Sequence, residues 1–241
     1  MKRLKTILFL LAAAPVVAFA SGASIHLDKA PINLADQESL QRGARTFVNH
    51  CLNCHSAASM RYSRLQDIGL TEDQIKENLL FAADKPGETM KVGMSKTDGK
   101  TWFGATPPDL SVIARSRGAD WLYTYLRGFY RDDSRATGWN NTVFDKVGMP
   151  HVLWSLQGEM VPVFKKDGEH EVIERLELAR PGSMTLAEYD ATVGDLVNFL
   201  VWMGEPGQLQ RKQLGVIVLV FLSIFFVVAY DLKKEFWKDI H

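Results

Sequence analysis

Between Glu38 and His50 the apolar positions fall at Leu40, Ala44, Phe47 and Val48, the i, i+4, i+7, i+8 spacing of a helix with one buried face. Gly43 lies one turn before Phe47, where a missing side chain lets a second helix cross closely. A later stripe runs through Tyr189, Val193, Leu196, Val197, Leu200 and Met203. It follows the T-x-x-E capping box Thr185–Glu188 and stops before Pro206. Trp121, Leu122, Tyr125, Leu126 and Phe129 predict one more helix over Asp120–Tyr130. Glu169–Leu178 alternates weakly, as a hairpin strand does. Lys85–Lys100 and Asp132–Pro150 are rich in Gly, Asp and Lys and read as loops. The chain has no internal repeat and no low-complexity tract.

Two apolar runs belong to neither face of these helices. Thr6–Val17 follows the basic Met1–Lys5 and leads into Ala18-Phe19-Ala20, the pattern of a secretory signal cut before Ser21. Leu214–Tyr230 holds no charge, and its 17 residues span ~25 Å against a hydrocarbon core of ~30 Å. Arg211, Lys212, Lys233 and Lys234 flank it with stems long enough to reach the interface, and Tyr230 and Trp237 suit the aromatic belt. The expected organisation is a signal peptide over 1–20 and an exported domain over 21–210. A transmembrane helix over 211–232 and a cytoplasmic tail over 233–241 complete it.

Composition changes this picture only through charge. The 241 residues are 46% apolar, enough for a packed core, and the formal net charge is zero. Setting aside the three basic residues of the first twenty leaves 25 Lys and Arg against 28 Asp and Glu. A mildly acidic mature chain excludes the basic face that nucleic acid requires and suits a basic protein partner better.

The two cysteines stand in Cys51-Leu52-Asn53-Cys54-His55, the C-x-x-C-H pattern of c-type haem attachment. Thiols three positions apart on a helical turn face one side and can each add to a vinyl group of the porphyrin. The next residue then lies under the ring, where an imidazole nitrogen binds iron. A redox dithiol needs a βαβ context that the chain lacks, and a zinc site needs two further ligands at recognisable spacing. With both cysteines used, none is left for a disulfide. An early helix at the attachment turn, crossed by a late aromatic-rich helix, predicts a mainly α, class I cytochrome c-like haem domain with long loops. Such carriers usually close the iron with methionine. Met149, between Gly148 and Pro150, and Met160 are the candidates, with Met184 behind them. His151, His50, His26 and His170 are the other possible ligands.

Further segments add to this: Gly104-Ala105-Thr106-Pro107-Pro108-Asp109-Leu110-Ser111, then Arg115 and Arg117, then Gly148-Met149-Pro150, then Phe199–Pro206 before one membrane helix. Together they resemble the cytochrome c1 family, the haem c subunits of ubiquinol–cytochrome c reductase (bc1) complexes, in its bacterial form. The resemblance spans nearly the whole mature chain. It departs at Lys100–Phe103 and at the single proline before His151. It implies one covalent haem c with Met149 as the sixth ligand, and Arg117 near a haem propionate. Pro107 and Pro108 would wall the haem, and Tyr62 and Trp121 would lie near its pocket. The implied partners are cytochrome b, a Rieske iron–sulfur protein and a soluble or tethered c-type cytochrome. The implied location is the inner membrane, single-pass, with the haem domain on the periplasmic side. The chain itself would break no substrate bond. A stand-alone membrane-anchored monohaem carrier or oxidase subunit is the competing reading. A ligand sensor or peroxidase-like enzyme with an open sixth site, and a structural adaptor, lie further off.

Overall fold

The computed structural model describes residues 25–167 and 170–239. The expected signal peptide, the acidic Glu169 and the side chain of His170 fall outside what it describes.

The first helix, α1 (Gln37–Thr46), is capped by Asp36, whose carboxylate accepts from the Ser39 amide at 3.0 Å. It continues without a break into a π-helical turn, Phe47–Cys51. Leu40, Ala44, Phe47 and Val48 are all buried, so the spacing in the sequence marks the inward face. Two short helices, α2 (Glu72–Asn78) and α3 (Lys96–Phe103), precede a bent pair, α4 (Ile113–Arg117) and α5 (Ala119–Arg127). After α6 (Trp154–Gln157) come the long α7 (Leu186–Gly204) and α8 (Gln208–Phe236). The expected capping box opens α7: Thr185 accepts from the Glu188 amide while Glu188 accepts from the Thr185 amide at 2.8 Å.

The core lies where α7 crosses α1. A Cβ on Gly43 would stand 2.1 Å from the Asp195 carbonyl oxygen and 2.7 Å from Phe199 Cβ, so only glycine permits this approach. Above and below it, Phe47 packs on Phe199 with ring centroids 5.6 Å apart, and Arg42 pairs with Asp195 at 2.6 Å. Asn198 is fully buried, and its amide is satisfied by Asn33 and Ser39. That network ties the segment before α1 to α7. On the other side, Tyr189 donates to the Leu126 carbonyl at 2.8 Å and joins α7 to α5.

Among the described residues the strands form three separate antiparallel ribbons. They are β1 (Ala57–Arg61) with β2 (Thr89–Met90), β3 (Phe129–Arg131) with β4 (Trp139–Asn141), and β5 (Gly158–Asp167) with β6 (His170–Pro181). The weak alternation over Glu169–Leu178 is therefore strand β6. Its partner β5 was hidden by Pro162, which ordinarily argues against a strand but is tolerated on the edge of a two-stranded ribbon. Two further readings are corrected. The helix expected over Asp120–Tyr130 stops at Arg127, because Gly128 turns the chain and Phe129 and Tyr130 pass into β3. The polar stretch Lys85–Lys100 holds β2 and the start of α3, whose cap is Ser95 accepting from the Asp98 amide at 3.0 Å. Few apolar residues mark these short elements, so periodicity could not reveal them.

Helix α8 leaves the domain as a single rod ~44 Å long, more than a hydrocarbon core requires. Its apolar side chains point outward on every side, Leu219 and Phe226 each 66% exposed. A helix apolar all round and unburied by its own chain fits a membrane anchor. At its root Arg115 of α4 donates to Glu205 at 3.3 Å, and Arg211 of α8 pairs with the same carboxylate. These pairs hold Glu205 below the ordinary carboxylate range, Arg211 contributing most, and fasten the anchor to the domain.

Candidate functional site

The π-helical turn at the end of α1 sets the chemistry that follows it. One extra residue in the turn widens the coil, a device found mostly at functional positions. The amides of Cys54 and His55 then both bond back to the Cys51 carbonyl, at 3.1 and 2.9 Å. This tight turn brings Cys51, Cys54 and His55 to the wall of one cleft. Burial, reinforced by Cys54 nearby, pushes the Cys51 thiol up to about 12.

His55 is oriented by the segment that the sequence singled out. Its Nδ1–H donates to the Pro108 carbonyl at 2.7 Å, which leaves the Nε2 lone pair for a metal. Burial pushes this imidazole below its ordinary value, against the opposing pull of the Pro108 bond and Asp109, and so favours the neutral, ligating form. The Pro108 loop is itself fastened beside the attachment turn. The Leu110 amide donates to the Ser56 carbonyl at 2.8 Å, and Asp109 accepts from the Ala58 and Ser111 amides at 2.8 Å each. Pro107 packs so closely on α3 that a Cβ on Gly99 would lie 2.8 Å from its ring.

Met149 lines the same cleft, and among the described residues it is the only methionine that does. A Cβ on Gly148 would stand 2.7 Å from the Phe103 carbonyl, so the glycine lets this loop lie against the end of α3. The Met149 sulfur accepts a hydrogen bond from the Tyr125 hydroxyl at 3.3 Å. Tyr125 stacks on Trp121, with ring centroids 4.7 Å apart and planes 11° from parallel. The Arg117 guanidinium lies over the Trp121 ring, 5.1 Å from its centroid. Unlike Arg115, which Glu205 holds, Arg117 pairs with no carboxylate among the described residues, and it reaches the cleft. Burial raises the Tyr125 phenol far above its ordinary value, so the hydroxyl stays protonated.

The cleft has a volume of about 260 Å³. Its walls are mostly carbon, with Leu196 and Leu200 of α7 at the back and Phe144, 47% exposed, at the mouth. Two thiols on one turn, an imidazole with a free Nε2, a thioether, an arginine and apolar walls fit a covalently held haem. Among the described residues, no group of three His, Cys, Asp or Glu side chains stands together to hold another metal.

Of the residues named from sequence, Cys51, Cys54, His55, Pro108, Arg117, Trp121 and Met149 share this cleft. Tyr62 stands apart from its lining, with its side chain fully buried in the core. Among the alternative ligands whose side chains are described, only His50 lines the cleft, on the attachment side. Met160 is buried in β5, and Met184 packs against the core with its sulfur facing Thr192. His151 stacks face to face on Phe129, centroids 4.9 Å apart, and His26 is exposed beside Asp28. In the sequence Tyr125 stands out only as part of a helix face, and Phe144 not at all. Tyr125 carried a usable signal, standing one turn after Trp121 on the same helix face.

The profile of the Cytochrome C1 family matches residues 28–176 and 181–240. A protein of Nitrosomonas europaea named ammonia monooxygenase gamma subunit is 51% identical over 241 residues, 100% of each chain. Cytochrome c1 of Allochromatium vinosum is 47% identical over 245 residues, again 100% of each. A protein of Bradyrhizobium diazoefficiens named cytochrome b/c1 is 29% identical over 249 residues, which cover 88% of this chain and 34% of that one.

Proposed function

This chain belongs to the cytochrome c1 family, and we propose from that premise that it relays single electrons from a Rieske iron–sulfur protein to a c-type cytochrome. It is the haem c electron-transfer subunit of a quinol–cytochrome c reductase (bc1) complex, with one covalent haem c. The reading of its site rests on one observation: both cysteines, His55 and Met149 line a single apolar cleft.

Haem c, when bound, supplies an iron that takes up and gives up one electron. Cys51 and Cys54 would hold it by thioether bonds. His55 would ligate the iron through Nε2, kept in the right tautomer by Pro108, and Met149 would supply a second ligand. Arg117 would pair with a propionate, where a guanidinium matches a carboxylate with two parallel hydrogen bonds. Leu196, Leu200 and the Pro107–Pro108 wall would keep water from the ligands, and the half-exposed Phe144 lies on the side where a partner could approach. Cytochrome b is the expected neighbour in the membrane, and the Bradyrhizobium relative, whose name joins b and c1, supports that. With residues 21–210 exported, this domain would face the periplasm, α8 would cross the inner membrane, and residues 233–241 would form the cytoplasmic tail.

The test is a reduced-minus-oxidised spectrum of the tagged chain, purified gently from its own membranes. Bands of c-type and b-type haem together support the complex. A c-type band alone, from membranes shown to keep the complex intact, supports a free carrier. Co-purification with oxygenase subunits in place of b-type haem would point to the role that the Nitrosomonas relative's name describes. A second expectation concerns the acceptor. The mature chain is mildly acidic, so oxidation by a basic c-type cytochrome should slow as salt rises from 10 mM toward about 0.15 M, where the Debye length shrinks from ~30 to ~8 Å. Among the acids, Glu72 already pairs with Lys76 at 2.6 Å, and Asp73 sits beside it in the first turn of α2. A rate indifferent to salt removes electrostatic steering.

A further inference from the structure

We propose that Tyr125 tunes the redox potential of this site through its hydrogen bond to the sulfur of Met149. The inference rests on the reading of Met149 as an axial ligand and goes beyond it, because it assigns the potential in part to a residue that does not touch the haem iron.

The observations concern one side chain. Tyr125 is 8% exposed, and its ring is fixed on two sides. Trp121 stacks on one face, and Phe129 meets it edge-on with centroids 5.1 Å apart. These contacts leave the phenol little freedom and aim its hydroxyl at Met149 Sδ, 3.3 Å away. The surrounding wall is apolar, with Leu122, Leu126 and Val147 close by. A leucine would fill such a place without the cost of burying a hydroxyl, so the polar atom needs its partner, and the structure gives it the sulfur.

A thioether sulfur has two lone pairs. When one is given to iron, the other remains free to accept from Tyr125. A donor on that second pair draws electron density from the sulfur and makes it a poorer ligand. The loss is felt more by the ferric ion than by the ferrous one, so the hydrogen bond favours the reduced state and raises the potential. Hydrogen bonding to an axial ligand is one of the few levers a protein has on a haem potential. Tyr125 is therefore a positioning residue, acting through Met149. A neutral hydrogen bond of ordinary net strength corresponds to about a two- to tenfold change in the ratio of oxidised to reduced protein at a fixed potential.

Tyr125→Phe keeps the ring, its stack on Trp121 and its volume, and removes only the donor. The experiment is a redox titration of the full chain in its complex. It is read at the haem absorption band and at the weak long-wavelength sulfur-to-iron charge-transfer band of the oxidised protein. The expected result is a retained charge-transfer band and a potential lowered by that two- to tenfold ratio. Fluorotyrosine placed at position 125, a stronger donor that changes the side chain by one atom, should move the potential the other way. An unchanged potential in both proteins, with the band present, overturns the proposal and leaves Met149 as ligand untouched. Loss of the band in Tyr125→Phe also overturns it, because the hydroxyl would then be holding the methionine on the iron and not tuning it. Absence of the band from the unaltered protein overturns both this inference and the ligand assignment beneath it.

Discussion

Replacing Met149 with leucine should turn a low-spin site closed to small ligands into one that binds carbon monoxide rapidly when reduced. The exchange is close in volume, and swaps of this kind usually cost less than ~1.5 kcal/mol, so the domain should still fold and take up haem. Under the proposed ligation, what the variant loses is a sulfur lone pair on the iron. Axial ligation moves haem potentials over a range of ~0.8 V, and loss of the thioether should lower this one by on the order of 0.1 V or more. The measurements are the reduced spectrum with and without carbon monoxide, and a redox titration. The cleft narrows the alternatives, because among the described residues Met149 is its only methionine, and Met160 and Met184 lie in other parts of the fold. A variant that kept its low-spin spectrum and its potential would take Met149 off the iron. His50, which also lines the cleft, would then be the next residue to change.

The second large effect belongs to the helix crossing. In an exposed helix, glycine to alanine stabilises by ~1 kcal/mol, because alanine loses less backbone entropy. At Gly43 the sign should reverse. The added Cβ would meet the Asp195 carbonyl oxygen at 2.1 Å and Phe199 Cβ at 2.7 Å, and the first of these is backbone that a rotamer change cannot move. α1 and α7 would have to separate, and the Phe47–Phe199 contact and the Arg42–Asp195 pair would weaken together. Overpacking of this kind costs ~1–3 kcal/mol and sometimes more, and the backbone clash puts Gly43→Ala at the upper end. For a domain of this size that corresponds to a fall in Tm of roughly 5–10 °C, measurable by circular dichroism on the haem-loaded protein. Haem yield should fall as well, because α1 carries the attachment turn and α7 supplies Leu196 and Leu200 to the cleft. An alanine variant as stable as the parent would mean that the two helices do not cross here.

Much of this frame was legible because long elements announce themselves by period and by their ends. The stripe Leu40, Ala44, Phe47, Val48 and the capping box at Thr185 each depend only on neighbours within two turns, and both were read with little error. Gly43 was legible for a related reason, as a gap in an otherwise well-formed helix face. The uncharged run within α8 needed no partner at all, since its solvent is lipid. The ribbons were harder. β6 showed a weak alternation, but β5 was masked by Pro162, and a hairpin is settled by pairing between strands and not by either strand alone. Polar α3 was taken for loop because its face is set by packing on Pro107 and on the Met149 loop.

The sequence by itself determined the chemistry at one end of the site. C-x-x-C-H brings its own geometry, because two thiols and an imidazole within five residues meet on a single turn. It also determined the two long helices and the membrane run, whose forces act locally. Only the tertiary structure decided the other end. Which methionine shares a cleft with His55 depends on a loop 94 residues away in the chain, held by Gly148 against α3. That Pro108 orients His55 depends on a carbonyl, which no side-chain pattern records. That Tyr125 meets the Met149 sulfur depends on both at once. Contacts between distant segments arise when the whole core closes, and periodicity, which reads only near neighbours, carries no trace of them.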